Sequence, residues 1–145
     1  MQDRYQRSSF SSTGLEVIQT GFAHTDYLYT PLSTPQHTRA ESFTHELQLE
    51  TLKHQPVNTL SQGQLRQILL ARALVSKPDV LLLDEFFAGV DTGAREHLRT
   101  LVEGFARDGL TLVYTTHRDE ERLEATTREV WLEGGEGREG RFGTI

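Results

Sequence analysis

The feature that most constrains the fold is a continuous apolar run, residues 80–83, followed directly by the carboxylates of Asp84 and Glu85. Such a run, without polar alternation, is typical of a strand buried on both faces of a parallel sheet. Residues 94–107 then show the apolar spacing of a helix, and residues 111–115 form a second strand rich in β-branched side chains. We predict a third strand over residues 129–133. This alternation of strands and helices predicts an α/β fold with right-handed crossovers and one parallel or mostly parallel sheet.

The first half of the chain has a different character. Ser61 begins a predicted helix, and Gln64 follows three residues later, which matches a capping box. No strand is indicated before residue 77. We therefore expect two parts, a helical subdomain over residues 1–76 and the α/β part over residues 77–145.

Composition narrows the range of functions. The chain has 145 residues, a net charge of −6 and no cysteine. The length fits one domain. The acidic balance argues against a nucleic-acid surface, since phosphate binding needs clustered Lys and Arg. The absence of cysteine fits a reducing compartment. No apolar stretch reaches the length of a membrane span. We expect a cytoplasmic protein that reaches a membrane only through a partner.

Three side chains at the predicted sheet edge have the chemistry of a hydrolytic site. Asp84 is placed to hold Mg²⁺, and Glu85 to orient or deprotonate an attacking water. His117 ends the next strand and should lie at the same edge, where it could contact a γ-phosphate or the catalytic water. Each feature alone is common, because strands often end in solvated acids and a single histidine is usually a surface residue.

A second group of residues suggests an anion site. Gly63 permits close approach of a ligand, and the helix that begins behind Ser61 presents free N–H groups and partial positive charge. Alone, this pattern is also that of an ordinary capped helix, and Gly89-Val90-Asp91 alone is a turn. The sequence Leu60–Gln64 lies 24 residues before the carboxylates, counted from Ser61 to Glu85. The two motifs are far less probable together by chance than either motif is alone.

The segment from Gly135 to Gly140 matches the pattern G-x-G-x-x-G after a predicted strand. A dinucleotide-binding fingerprint also needs a helix directly behind it and an acid about twenty residues later. Two glutamates in the segment would repel phosphate. We predict a glycine-rich hairpin or turn here.

Taken together, these residues resemble the nucleotide-binding domain of the ABC ATPase superfamily. Leu60–Gln64 resembles the L-S-G-G-Q signature, with Gln62 in place of the first glycine, and residues 65–74 are similar to the helix that follows it. Residues 78–85 resemble Walker B with its catalytic glutamate, and Phe86 replaces the usual proline. Residues 88–91 look like the D-loop, and His117 like the switch histidine. Residues 17–22 with Leu28-Tyr29 resemble more narrowly the molybdenum-uptake and photorepair type.

The resemblance implies a partial P-loop NTPase domain that works with ATP and Mg²⁺. In this family two domains enclose two ATP molecules, and the signature acts on the nucleotide of the other domain. The resemblance assigns Glu85 and His117 to catalysis, Asp84 to the metal, and Ser61, Gly63, Gln64 and Asp91 to the nucleotide. No G-x-x-x-x-G-K-[ST] phosphate loop occurs in the sequence. We expect a chain that does not hydrolyse ATP alone and that pairs with a second ABC domain or itself, and also with a membrane permease subunit.

Three functions are compatible with these motifs. The first is an ATP-binding subunit of an ABC transport system, present as a truncated product, a fragment or one half of a split domain. The second is a non-enzymatic protein that docks on an intact ABC domain through its signature face. The third is the C-terminal half of a chromosome-maintenance or repair ATPase, whose head is assembled from two chain segments. The third requires a long heptad coiled coil before the signature, and residues 1–59 contain none.

Overall fold

A computed structural model of the chain describes residues 12–23, 30–133 and 136–142. Leu28 and Tyr29, used above for the finer resemblance, lie outside the described residues. The helices are α1 (Gly14–Gln19), α2 (Thr34–Glu46), α3 (Gln62–Leu74) and α4 (Thr92–Arg107). The strands are β1 (Val80–Asp84), β2 (Thr111–Thr115), β3 (Arg128–Glu133) and β4 (Glu136–Phe142). The order confirms the predicted α/β class, with helices first and strands from residue 80.

The central unit is a β-α-β crossover. Strands β1 and β2 are parallel and paired in register from Val80 with Thr111 to Asp84 with Thr115, and α4 connects them. Helix α4 has its apolar residues along one side, and Leu98 and Val102 are buried against the rest of the core. This pairing brings the carboxyl ends of both strands to one edge, which is where open α/β sheets bind their ligands.

The prediction that residues 129–133 belong to the same sheet is wrong. Strand β3 pairs with β4 in an antiparallel hairpin, and these two strands form a separate sheet. Alternating side chains identify a strand but not its partner, and the neighbouring segment after a short connection is the partner found here. The described part of the glycine-rich segment, residues 136–140, therefore lies in β4 of this hairpin, as predicted, where a dinucleotide site would have a helix.

Strand β1 is buried on one face only, which corrects the expectation of burial on both faces. Leu81 and Leu83 are buried, whereas Val80 is 49% and Leu82 is 72% exposed. Val113 on β2 is 53% exposed. The apolar run reflects a strand with two apolar faces, and among the described residues only the face that carries Leu81 and Leu83 is covered. We call Val80, Leu82 and Val113 the open sheet face.

One hydrophobic core runs through the described residues. It includes Val17 and Ile18 of α1, Phe43 of α2, Ile68 of α3 and Leu98 of α4. The core is continuous across residue 77. The division into a helical subdomain and an α/β part at that residue therefore remains a prediction about sequence organisation.

Candidate functional site

The carboxyl ends of β1 and β2 are tied together by one hydroxyl group. Thr115 Oγ1 donates a hydrogen bond to Asp84 Oδ1 at 2.6 Å and accepts one from the backbone N–H of Glu85 at 3.1 Å. Glu85 has φ 42, in the left-handed region that residues with a side chain seldom adopt. The chain therefore turns sharply at Glu85, directly after β1, and the N–H of Glu85 is held by Thr115 of the neighbouring strand.

Glu85 and His117 meet at this edge, as the sequence predicted. His117 Nδ1 lies 3.6 Å from Glu85 Oε1, and the two side chains are 62% and 59% exposed. A contact between two such exposed side chains contributes little to stability. Its significance lies in the geometry, because the histidine and the carboxylate face the same solvent-filled space and could both reach one bound group.

The loop that carries His117 is held by side-chain hydrogen bonds of the preceding residue, Thr116. Thr116 Oγ1 donates to Glu121 Oε2 at 2.7 Å and accepts from the backbone N–H of Arg118 at 3.1 Å. Glu121 is 1% exposed, and its other oxygen, Oε1, has no hydrogen-bond partner among the described residues. The buried Glu121 thus holds the Thr116 hydroxyl, and this hydroxyl holds the backbone N–H of Arg118, so hydrogen bonds flank His117 on both sides.

The signature segment forms the first turn of α3. Ser61 is the N-cap: its Oγ accepts from the N–H of Gln64 at 3.2 Å, and Gln64 Oε1 accepts from the N–H of Ser61 at 2.9 Å. This reciprocal arrangement is the capping box that the sequence predicted. Ser61 and Gln64 therefore have a structural role in addition to any contact with a nucleotide, and the remaining N–H groups of the first turn point along the helix axis.

Gly63 allows close approach, but to another helix of the same chain. A Cβ atom built on Gly63 would lie 2.5 Å from Ala94 Cβ and 3.5 Å from Val90 Cγ1. No side chain fits at such a distance without displacing α4. The absence of a side chain at position 63 thus sets the first turn of α3 directly against the start of α4, beside the Gly89–Asp91 turn.

Asp91 occupies the corresponding position on α4. Its Oδ1 accepts from the N–H of Ala94 at 3.0 Å, which makes it the N-cap, and it is exposed. Arg95, one turn into the helix, donates to Val90 O at 3.2 Å and lies 3.7 Å from Glu120. The D-loop is therefore connected through Arg95 to the segment that follows His117.

Aromatic packing joins α3 to the turn after the carboxylates. Phe86, which replaces the usual proline, is buried and meets Phe87 edge-on at 5.3 Å between ring centroids. The Arg66 guanidinium lies 5.4 Å from the Phe86 ring centroid. Burial lowers the pKa of Arg66 from its ordinary value, yet arginine stays charged at physiological pH. The contact has cation–π geometry and links α3 to the Walker B turn.

The donor set fits the cofactors that the resemblance implies. No group of three or more His, Cys, Asp or Glu side chains in the described part of the chain is arranged to hold a metal. Magnesium at nucleotide sites is held by one or two carboxylates together with phosphate oxygens and water. Asp84, fixed by Thr115, meets that requirement. The first turn of α3 offers N–H groups, which suit a phosphate.

The structure thus brings the predicted residues into two groups. Asp84, Glu85 and His117 lie together at the sheet edge. Ser61, Gly63 and Gln64 form the first turn of α3 and approach the turn that carries Asp91. Sequence reasoning missed Thr115 and Thr116. Two hydroxyl side chains directly before His117 were the available signal, but their partners became evident only from the register that pairs Asp84 with Thr115.

This arrangement is that of an ATP-binding cassette, and the sequence comparison agrees. The family model described as "ABC transporter" matches residues 2–88, which is more than half of the chain. The chain therefore belongs to the ABC transporter family. ATP-binding subunits of this family use ATP and Mg²⁺, act as dimers and associate with membrane permease components.

Curated relatives are import subunits. The cobalt import ATP-binding protein of Rhodobacter capsulatus is 42% identical over 79 residues, which are 54% of this chain and 28% of that protein. The zinc uptake ATP-binding protein of Bacillus subtilis is 32% identical over 133 residues, 89% of this chain and 56% of that protein. The chain spans between 25% and 56% of the length of the curated relatives it matches.

Solved structures show the same fold. A nucleotide-free ATP-binding cassette from an ABC transporter superposes with a TM-score of 0.81 at 22% identity, over 92% of this chain and 56% of that chain. The dimeric structure of a bacterial ABC transporter cassette gives a TM-score of 0.73 at 26% identity, over 92% and 58%. Within the described residues, every helix is too short or too polar to cross a membrane.

Proposed function

We propose that this chain is part of the ATP-binding subunit of an ABC import system, in which ATP binding and hydrolysis drive transport. The observation that carries the proposal is the 3.6 Å approach of His117 Nδ1 to Glu85 Oε1 beside Asp84. These three side chains lie at or just after the carboxyl ends of β1 and β2, which the parallel pairing brings to one edge of the sheet. Relatives named for cobalt and zinc import favour an importer over an exporter.

In the proposed mechanism each group has one task. Asp84 would hold Mg²⁺, which supplies positive charge against the phosphate oxygens. Glu85 would orient the attacking water and accept its proton, since its carboxylate is exposed and its backbone is fixed. His117 would donate a hydrogen bond to the γ-phosphate or to that water. Ser61, Gly63, Gln64 and Asp91 would contact the nucleotide bound by a partner domain.

We further propose that the 145-residue chain does not hydrolyse ATP by itself. The sequence has no phosphate-loop motif, so the lysine and the backbone N–H groups that position the β- and γ-phosphates in such enzymes have no counterpart in it. Positioning and charge stabilisation supply most of the rate in phosphoryl transfer. Activity would then require a second ABC domain, and the assembly would work on the inner side of a membrane beside a permease subunit.

The test uses a cassette that cannot complete its own site. The zinc uptake ATP-binding protein of B. subtilis would carry a disabling substitution in its signature, and phosphate release would be measured as this chain is added. We expect stimulation by the wild-type chain and none by Ser61→Asp. Aspartate keeps the N-cap but brings negative charge to the proposed phosphate contact. Equal stimulation by both chains, in a complex verified by light scattering, would rule out the proposed role of Ser61.

The same assay addresses a second function, docking without catalysis. This alternative is favoured by the exposed signature turn and by the lack of a phosphate-loop motif. A docking protein would stimulate its partner through Ser61 and would be indifferent to Glu85→Gln. A chain that contributes catalysis would lose part of the stimulation with Glu85→Gln.

A further inference from the structure

We propose that Thr115 is a positioning residue, whose hydroxyl fixes the carboxylates of Asp84 and Glu85 relative to each other. A hydroxyl has a single proton. Here that proton is donated to Asp84 Oδ1 at 2.6 Å, and the oxygen accepts the N–H of Glu85 at 3.1 Å. One side chain on β2 therefore holds the side chain of one acid on β1 and the backbone of the next.

The geometry at Glu85 explains why such a bridge is needed. Its φ of 42 is disfavoured for a residue with a side chain, so the conformation persists only where the surroundings determine it. Two hydrogen bonds do so. The N–H of Glu85 donates to Thr115 Oγ1, and the C=O of Glu85 accepts from the N–H of Ala88 at 3.1 Å. The first of these depends on a hydroxyl at position 115.

The bridge also has a consequence for the metal, which rests on the proposed function. Thr115 engages Asp84 Oδ1 and so would orient the carboxylate that we propose holds Mg²⁺. Partners that orient a ligating carboxylate from behind typically change metal affinity by about 10- to 100-fold when removed. Thr115 would act in this way without touching the metal.

The experiment follows the Glu85 amide by NMR in the full chain without nucleotide. In Thr115→Val, which keeps the β-branched shape, hydrogen exchange at Glu85 is expected to accelerate about tenfold, the effect of losing one hydrogen bond. Thr115→Ser should stay within about twofold of wild type. Thr111→Val, the same substitution on the same exposed face of β2, is the matched control and should leave Glu85 unchanged.

Two results would overturn the inference: exchange at Glu85 that is unchanged in Thr115→Val, or Thr115→Ser exchanging as fast as Thr115→Val. The second would assign the effect to the methyl group. If Thr115→Val does not fold, Thr115→Ala against Thr115→Ser gives the same comparison, because both lack the methyl and differ in the hydroxyl.

A titration with Mn²⁺ alone tests the metal part. Broadening centred on Asp84 and Glu85 should need about tenfold more Mn²⁺ in Thr115→Val, with recovery in Thr115→Ser. Absence of localised broadening in the wild type would contradict Asp84 as a metal ligand. That result concerns the proposed function, whereas the exchange result concerns Thr115, so the two failures are distinguishable.

Discussion

Gly63 has no side chain, which allows α3 and α4 to pack in close contact. The first turn of α3, with its signature residues, packs against Ala94 at a distance that leaves no room for a Cβ. The sequence suggested that this glycine serves the approach of a ligand, and the structure adds an approach between helices. Substitutions at Gly63 would therefore change both packing and any phosphate contact, and loss of activity alone would not separate them.

We predict that Gly63→Ala destabilises the chain by about 1–3 kcal/mol, because a Cβ 2.5 Å from Ala94 Cβ forces α3 and α4 apart. Urea unfolding measures the effect. Gly104→Ala is the matched control: Gly104 also lies inside a helix, but open space surrounds it. That change should be neutral or stabilise by up to about 1 kcal/mol. Equal changes in the free energy of unfolding for Gly63→Ala and Gly104→Ala would show that the contact between Gly63 and Ala94 does leave room for a Cβ.

At the scale of elements, the sequence predicted what local chemistry determines. Local sequence was sufficient to predict several elements, because each has a periodicity or a cap within its own segment. They are the capping box of α3, the apolar face of α4 and the strands β1 and β2. The partner of β3 could not be predicted, because the alternation of side chains around Val130 and Trp131 would be the same in a pairing with β1, β2 or β4. The bridge from Thr115 to Asp84 could not be predicted either, because it depends on the register between two strands that helix α4 separates in the sequence.

The cap of α3 offers a prediction at this scale. Ser61→Ala removes the acceptor for the Gln64 N–H and should cost about 1 kcal/mol, whereas Ser61→Asp should stay within about 0.5 kcal/mol of wild type. Thermal and urea unfolding measure both. If Ser61→Asp were the less stable of the two, the cap would not explain the stability, and the variant could no longer isolate the proposed phosphate contact.

For the whole molecule, the open sheet face is the feature that bears on association. Val80, Leu82 and Val113 lie side by side on paired strands and are each about half exposed or more. Adjacent exposed apolar side chains on a sheet favour association with another surface.

We predict that the chain associates at micromolar concentrations and that its thermal unfolding midpoint rises with protein concentration. Size-exclusion chromatography with light scattering and unfolding at several concentrations measure this. Leu82→Thr should weaken association and leave the stability of the monomer within about 0.5 kcal/mol, because Leu82 is 72% exposed. A clean monomer with a sharp, reversible, concentration-independent transition would show that the open sheet face needs no cover.

We propose that this chain carries a catalytic edge and a signature turn for ATP hydrolysis and that it does not hydrolyse ATP by itself. Steady-state phosphate release from Mg²⁺-ATP by the purified 145-residue chain tests it most directly, with Glu85→Gln measured beside it. We expect no turnover above the protein-free blank for either protein. Turnover by the wild-type chain that disappears in Glu85→Gln would contradict it, because the chain would then position ATP without a phosphate loop.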